Sequence, residues 1–272
     1  MNDHEPVVDL QLDRAHSSRI YDYFLGGKTN FLADRMAAGS VLGVFPAALV
    51  AARINREFMH RATRFLAASG LRQFLDIGTG IPTRPNLHDI AQDVTPDARV
   101  VYTDNDPIVL AHAAALLHGR PEGRTAYLHA DVTDPEGILG APRLLDTLDL
   151  SRPVALSLNA LMHFVPDDGH DRAHGIVETL KSALPSGSVL AMTHATADFS
   201  PEAMEQILKI YADAGTVLQF RPRAAFARFF DGWELLDPGV TLSHQWRPDR
   251  PEDATHVTDA EASCYAAVAR KP

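Results

Sequence analysis

The sequence has a single cysteine, Cys264, among its 272 residues. One thiol can close no intrachain disulfide and supply no cysteine-based zinc cluster, so neither device can hold this fold together. No run of about 18 apolar residues occurs, which excludes the simplest kind of membrane-spanning helix. The opening residues MNDHEPVVDL lack the basic start and continuous apolar stretch of a secretory signal. These features lead us to expect a cytoplasmic protein with no membrane partner. Positive charge is also scarce, with 25 Lys and Arg against 35 Asp and Glu, a net −10 at pH 7. Nucleic-acid binding rests on clustered cations that release counterions, so a nucleic-acid partner and a polyanionic substrate are both disfavoured.

What is present alternates between two periodicities. SSRIYDYFLGGKTNF at 17–31 is rich in aromatics and interrupted by Gly26 and Gly27, as a short helix ending in a glycine turn would be. Pro46 then opens an amphipathic segment in which Val50, Ile54, Phe58, Ala62 and Phe65 recur at helical spacing, closed by Gly70. Residues 1–70 are expected to form an N-terminal helical segment, or lid, ahead of a domain over 71–272.

From residue 73 onward, short apolar runs alternate with helical patterns, which argues for a largely parallel sheet covered on both faces. The runs are FLDI at 74–77, RVVYT at 99–103, TAYLHA at 125–130, PVALSL at 153–158, SVLAMTHA at 188–195, WELLD at 233–237 and SCYAAVA at 263–269. Helical spacing is read over 86–94, 107–118, 172–183, 201–214 and 223–229. The interval 238–259 carries no helix pattern, so the last two strands are expected to pair directly and antiparallel. RPDRPED at 247–253 reads as an exposed loop. The fold class expected is α/β: a Rossmann-like, seven-stranded, mostly parallel sheet with helices on both faces and an N-terminal helical lid.

The strongest local signal is FLDIGTG at 74–80, where an apolar strand delivers Asp76 and then Gly78 and Gly80 around Thr79. Glycines turn the backbone sharply and let a ligand approach without a Cβ clash, although a tight turn needs them for its own dihedrals too. The next strand, RVVYTDNDP, ends in Asp104, which is placed to accept both hydroxyls of a ribose. The third, YLHADVTDP, ends in Asp131, which either accepts from an adenine amine or caps a helix over 135–139; Asp134 is the better candidate for that cap. Asp76, Asp104 and Asp131 would then surround one pocket at the carboxyl edge of the sheet, where open α/β folds bind ligands. A dinucleotide site wants G-x-G-x-x-G, with the pyrophosphate received at a helix N-terminus. Here Thr83 stands at the third glycine and Pro82 removes an amide donor, so a nucleoside ligand without phosphate suits the turn better.

FLDIGTG, VVYTDNDP, ADVTDP and LSLNALMHFVPDD together resemble the ordered motifs of class I S-adenosylmethionine-dependent methyltransferases. More narrowly, SSRIYDYFLGGKTNF with DIGTGIPT and VVYTDNDPIVLAHA is similar to an actinobacterial family of S-adenosyl methyltransferases, from residue 17 to the C-terminus. The resemblance implies S-adenosyl-L-methionine as the cofactor. It implies Asp76 and the turn of Gly78, Thr79 and Gly80 at the methionine end, with Asp104 at the ribose. Asn105 would border the adenine, with Asp131 and Val132 at its amine edge. Asn159 matches the position that contacts the donor near the transferring methyl group. IPT at 81–83 departs from the more usual glycine-rich continuation.

In such enzymes the segment before the first strand often folds over the cofactor. Tyr21, Tyr23 and Phe24 would offer π faces to a sulfonium; the alternative is an apolar helix face packed on the sheet, which suits Phe24 better. Gly26, Gly27 and Lys28 are expected to form a hinge, to bind a carboxylate or to make a solvated turn. Arg53 and Arg56 are expected on the solvent side of their helix, with Asn55 and Arg56 still within reach of a donor carboxylate. Methyl transfer from a sulfonium is an in-line displacement that needs positioning and dryness rather than a covalent enzyme intermediate. A base is required only if the acceptor must lose a proton. His163 and His194 are the candidates, both expected near the cleft mouth, with a structural role as the alternative for each. Met162 and Phe164 read as acceptor-pocket wall and His129 as a strand residue. Asp167 and Asp168 read as a loop or helix cap, so no catalytic metal is expected. The function expected is O-, N- or C-methylation of a small-molecule substrate. The alternatives are a donor-binding regulatory or scaffold protein without catalysis, an NAD-dependent oxidoreductase and a nucleic-acid methyltransferase, the last two disfavoured by the glycine pattern and the acidic balance.

Overall fold

The computed structural model describes residues 11–109, 112 and 119–272. Three helices come first: α1 (Ser17–Phe24), α2 (Leu32–Val44) and α3 (Ala48–Ala68). The sequence reading anticipated α1 and α3 but not α2, whose apolar face of Ala38, Val41 and the following Phe45 is diluted by Gly39 and Gly43. Asp34 starts this helix, accepting from the Phe31 amide at 2.8 Å and from the His16 amide at 2.9 Å, and so ties the first turns of α1 and α2 together. Gly70, at φ +95°, ends α3. Its amide bonds the Ala67 carbonyl at 3.0 Å and the Leu71 amide bonds the Leu66 carbonyl at 3.1 Å, the paired bonds of a Schellman cap.

The strands are β1 (Gln73–Ile77), β2 (Arg99–Asp104), β3 (Arg124–His129), β4 (Ala155–Leu158), β5 (Val189–Ala195), β6 (Glu234–Leu235), β7 (Thr241–Leu242) and β8 (Cys264–Arg270). Between them lie α4 (Leu87–Val94), α5 (Pro135–Leu139), α6 (Pro142–Leu145), α7 (Arg172–Ser182), α8 (Pro201–Asp213), α9 (Arg223–Ala227) and α10 (Asp259–Ala262). The helix expected over 107–118 falls mostly outside the described residues.

The sheet order is β3-β2-β1-β4-β5-β8-β6, parallel through β5, with β8 antiparallel to β5. Among the described residues the sheet has eight strands, against the seven expected. Seven-residue β8 is longer than two-residue β6, so the short β7 pairs with it further along, at Ala266 and Tyr265, while β6 pairs at Arg270 and Ala269. The last long strand therefore returns antiparallel, as the missing helix over 238–259 implied.

Side-chain alternation along the strands splits the interior into two layers. Leu75, Ile77, Leu156, Leu190 and Met192 face α7 and α9. Phe74, Val100, Ala155 and Ala191 face Phe58, Met59, Ala62 and Leu66 of α3, with Trp246 at 0 % exposure closing the layer. A third apolar cluster stands off the sheet, where Ile20 of α1 and Val41 of α2 meet Met204, Ile207 and Tyr211 of α8. Because β1 is flanked by β2 on one side and β4 on the other, the chain leaves its carboxyl end in opposite directions and opens a crevice there. No single described helix is long and apolar enough to cross a membrane.

Candidate functional site

A cavity of about 250 Å³ occupies that crevice. β1 runs into Gly78 and Gly80, at φ +74° and +69°, both in the left-handed region that favours glycine. The Gly78 and Thr79 amides bond the Thr103 carbonyl at 2.8 and 3.2 Å, extending the ladder to β2 by one turn. Asp104, at the tip of β2, then accepts from the Gly80 amide at 2.7 Å and from the Asp106 amide at 3.0 Å. A buried carboxylate thus fixes the glycine turn and still lines the cavity. Burial raises its pKa, against the opposing pull of those two amides.

Asp76 is 8 % exposed and also lines the cavity. Burial pushes its carboxyl up to about 6, with Arg56, Ser157 and Thr79 restraining the rise. The Thr79 hydroxyl lies 3.3 Å from its Oδ2. Asn105 and Val132 line the same space, as does Asn159, whose Nδ2 donates to Ser157 Oγ at 2.7 Å. The Asn159 Oδ1 is buried and has no hydrogen-bond partner among the described residues.

Asp131 lies outside the lining, although its neighbours Ala130 and Val132 belong to it. Its carboxylate accepts from the Thr133 amide at 2.8 Å and from Asn105 Nδ2 at 2.9 Å. Partial burial alone would raise its pKa, but those bonds outweigh it and hold the group ionised. Two strand-tip carboxylates, not three, therefore reach the cavity. Asp134 caps α5 through the Gly137 amide at 3.0 Å, as the sequence suggested.

Helical geometry divides the aromatic run. Tyr21 and Phe24, three residues apart, line the cavity, while Tyr23 points away into the apolar cluster of α1, α2 and α8 and packs edge-on against Phe24 at 6.4 Å. The Tyr21 hydroxyl donates to the Ala52 carbonyl at 2.9 Å and accepts from Asn55 Nδ2 at 2.8 Å. Asn55 Oδ1 accepts from Thr193 Oγ1 at 2.6 Å, and that hydroxyl accepts from the Ala160 amide at 2.8 Å. One relay thus joins α1, α3, β5 and the loop after β4, with Ala160 held at φ +51°. The glycine turn at 26–28 is organised around buried Asp22, which accepts from the Thr29 amide at 2.9 Å and Asn30 Nδ2 at 2.8 Å.

Sequence reasoning undervalued α3. Arg53 is exposed, as expected, but Arg56 turns into the cavity. Its Nη2 donates to the Thr83 carbonyl and, at 3.1 Å, to the Pro85 carbonyl, which anchors the IPT departure from the usual motif. Its Nε is buried without a partner among the described residues. His16, Ser17 and Ser18 line the cavity as well and were not foreseen. Here Asp106, fully buried, accepts from Ser18 Oγ at 2.7 Å and from Arg19 Nε at 3.0 Å, so α1 is bound to the loop after β2. Those bonds, with nearby His16, hold its carboxyl below the usual range despite burial.

The two histidines separate. His163 lines the cavity, and burial, aided by Arg221, pushes it down to about 3. His194 does not reach the cleft mouth: it is 0 % exposed and outside the lining. Along β5 it shares a face with Leu190 and Met192, which carries it under Phe226 and Phe229. Its Nδ1 donates to the Ala195 carbonyl at 2.7 Å and its Nε2 accepts from Arg221 Nη1 at 2.9 Å. Burial, then His163 and Arg221, drive its pKa well below the ordinary value. Arg221 also binds the Met162 and Val165 carbonyls at 3.0 Å each and Asp167 at 2.7 Å, bracing the turn that carries His163. Phe164 lines the cavity, whereas Met162 is buried in the sheet layer.

The chain is similar to known proteins along nearly its whole length. Residues 3–272 match the S-adenosyl methyltransferase family. A DUF574 family protein from Streptomyces avermitilis is 50 % identical, with a TM-score of 0.93 over 97 % of this chain and 100 % of that one. A structure from Thermobifida fusca is 39 % identical, with a TM-score of 0.88 over 96 % and 97 %. The magnesium protoporphyrin IX methyltransferase of Synechocystis, solved with S-adenosylhomocysteine bound, shares the fold at 11 % identity, with a TM-score of 0.52 over 93 % of each chain. No curated protein matches the sequence. The glycine turn, the strand-tip carboxylates and the family match agree, and the chain belongs to the S-adenosyl methyltransferase family.

Proposed function

We propose that the protein transfers the methyl group of S-adenosylmethionine to a small-molecule acceptor bound in the same cavity. The observations that carry this are the Arg56 Nε donor and the Asn159 Oδ1 acceptor, both buried in the lining without a partner among the described residues, and beside them the buried carboxylates of Asp76 and Asp104 at a glycine turn. Buried polar groups are normally paired, so a lining of this kind calls for a ligand with ammonium, carboxylate and hydroxyl functions. A methionine moiety and a ribose supply all three.

In this reading Asp76 takes the donor ammonium, Arg56 its carboxylate and Asp104 the ribose hydroxyls. The rim formed by Asn105 and Val132 borders the adenine. When bound, the cofactor supplies a sulfonium-activated methyl carbon that an acceptor lone pair attacks as the carbon–sulfur pair passes to sulfur. The protein's share is to position and to exclude water. Tyr21 belongs to the relay that fixes the loop after β4, and Asn159 precedes the Ala160 amide that the relay holds. His163, neutral at physiological pH, orients the acceptor by hydrogen bonding rather than acting as a strong base.

The test is calorimetric titration of the purified protein with S-adenosylmethionine and S-adenosylhomocysteine. Saturable micromolar-range binding that is abolished in Asp104→Ala, with the variant's thermal unfolding still cooperative, is the expected outcome. Absence of binding by the unsubstituted protein refutes the reading.

A further inference from the structure

The cavity has two ends of opposite character. Its charged lining side chains, Asp76, Asp104 and Arg56, all gather at the strand tips and the adjoining face of α3, where the donor is placed. Beyond His163 the lining changes. Phe24 of α1, Val41 of α2 and the following Phe45, Met204 and Ile207 of α8, and Phe220 wall the remaining space. These residues belong to the apolar cluster that stands off the sheet, so that cluster is not a solid core: its inner surface faces the cavity.

A polar group without a hydrogen-bond partner enters this end. Tyr211 of α8 lines the cavity, and its hydroxyl makes no hydrogen bond among the described residues. Burial alone raises its pKa, so it remains a neutral donor at any working pH. A charged acceptor placed here would meet no counter-charge, and a buried unpaired ion is strongly penalised. Aromatic walls favour a ring over an aliphatic chain, because ring pairs gain from edge and offset contacts beyond the area they bury.

From this arrangement we infer that the acceptor is an uncharged, largely apolar aromatic molecule, held between α1, α2 and α8 with one polar substituent bonded by the Tyr211 hydroxyl. The inference rests on the methyl-transfer reading for its biological meaning, but the preference of the chamber is a property of this chain alone.

The probes are 2-naphthol, 2-naphthoate and naphthalene, titrated calorimetrically into protein saturated with S-adenosylhomocysteine and, separately, into protein without it. Saturable binding of 2-naphthol with 2-naphthoate at least about 10-fold weaker is the expected result. Tyr211→Phe should weaken 2-naphthol by about 3- to 10-fold and leave naphthalene unchanged, a split that a merely structural tyrosine would not give. Met204→Glu should remove 2-naphthol binding while leaving S-adenosylhomocysteine binding intact. If Met204→Glu does not fold, the Tyr211→Phe comparison stands by itself. Equal or tighter binding of 2-naphthoate, or no 2-naphthol binding under either condition, overturns the inference. Loss of S-adenosylhomocysteine binding alone counts against the donor site and leaves the probe comparison to be read without it.

Discussion

Replacing Asp76 by Asn should make the empty protein more stable while destroying its hold on the donor. The carboxyl sits at about 6 in the folded chain against an ordinary 3.8. At 1.36 kcal/mol per pH unit that displacement is worth about 3 kcal/mol, and at 8 % exposure solvent screening takes little from it. The sign follows from which state ionises first. Below pH 3.8 folded and unfolded chains both carry the proton, between 3.8 and 6 only the unfolded chain has released it, and above 6 both are charged. Stability of the unsubstituted protein is therefore lost as pH rises through this window, and the loss persists at neutrality. An asparagine does not titrate and keeps one oxygen for Thr79 or Ser157, so the variant should gain about 1–3 kcal/mol at pH 7 and almost nothing near pH 4. Urea unfolding of both proteins from pH 4 to 7.5 reads the difference directly. Parallel stability curves across that range would refute the argument. The same proton governs the donor: S-adenosylhomocysteine affinity should climb up to about pH 6 and level off above it, and the variant should show neither the climb nor a ligand-induced rise in Tm.

Arg56→Gln should weaken S-adenosylhomocysteine about 10- to 100-fold, the scale of a lost charge-assisted bond, which isothermal titration measures; an unchanged Kd removes Arg56 from the donor site. Arg19→Met leaves Asp106 buried without its guanidinium and should cost about 3–5 kcal/mol in urea unfolding, with most of the loss recovered in Arg19→Met/Asp106→Leu. The ring protons of His163 and His194 should show no NMR titration between pH 5 and 9, since both are pushed far below the ordinary histidine value; a midpoint near 6.5 that disappears in His163→Asn would restore His163 as a base.

The parallel sheet and the glycine turn were legible because both are local patterns: apolar runs of strand length, and two glycines beside a strand-tip carboxylate. Parity could also have been used further. Leu190, Met192 and His194 alternate onto one face of β5, which already buries His194, and a helical step of 100° sends Tyr23 away from Tyr21 and Phe24. Arg56 illustrates the opposite limit. A polar side chain on an amphipathic helix reads as solvent-facing, and only the tertiary fold reveals that the polar stripe of α3 partly borders a cavity. Helix α2 escaped because small residues and two glycines blunt its periodicity, while the Asp34 bonds that start it come partly from distant His16. The Arg221 brace and the Asn55 relay join residues 27 to 138 positions apart, beyond any sequence window.

The tie between Arg19 and Asp106 also sets the cost of lifting α1 from the cavity. Lifting α1 alone strips a guanidinium from a carboxylate that has no exposure of its own. At about 3–5 kcal/mol, such an opening is populated by roughly one molecule in 10² to one in 10⁴. The loop that holds Asp106 also follows directly on Asp104, so the strand tip that lines the cavity and the first turn of α1 above it form a single mechanical unit. The contacts between α2 and α8, by contrast, are apolar and carry no buried ion pair among the described residues, so parting them strips no charge of its partner.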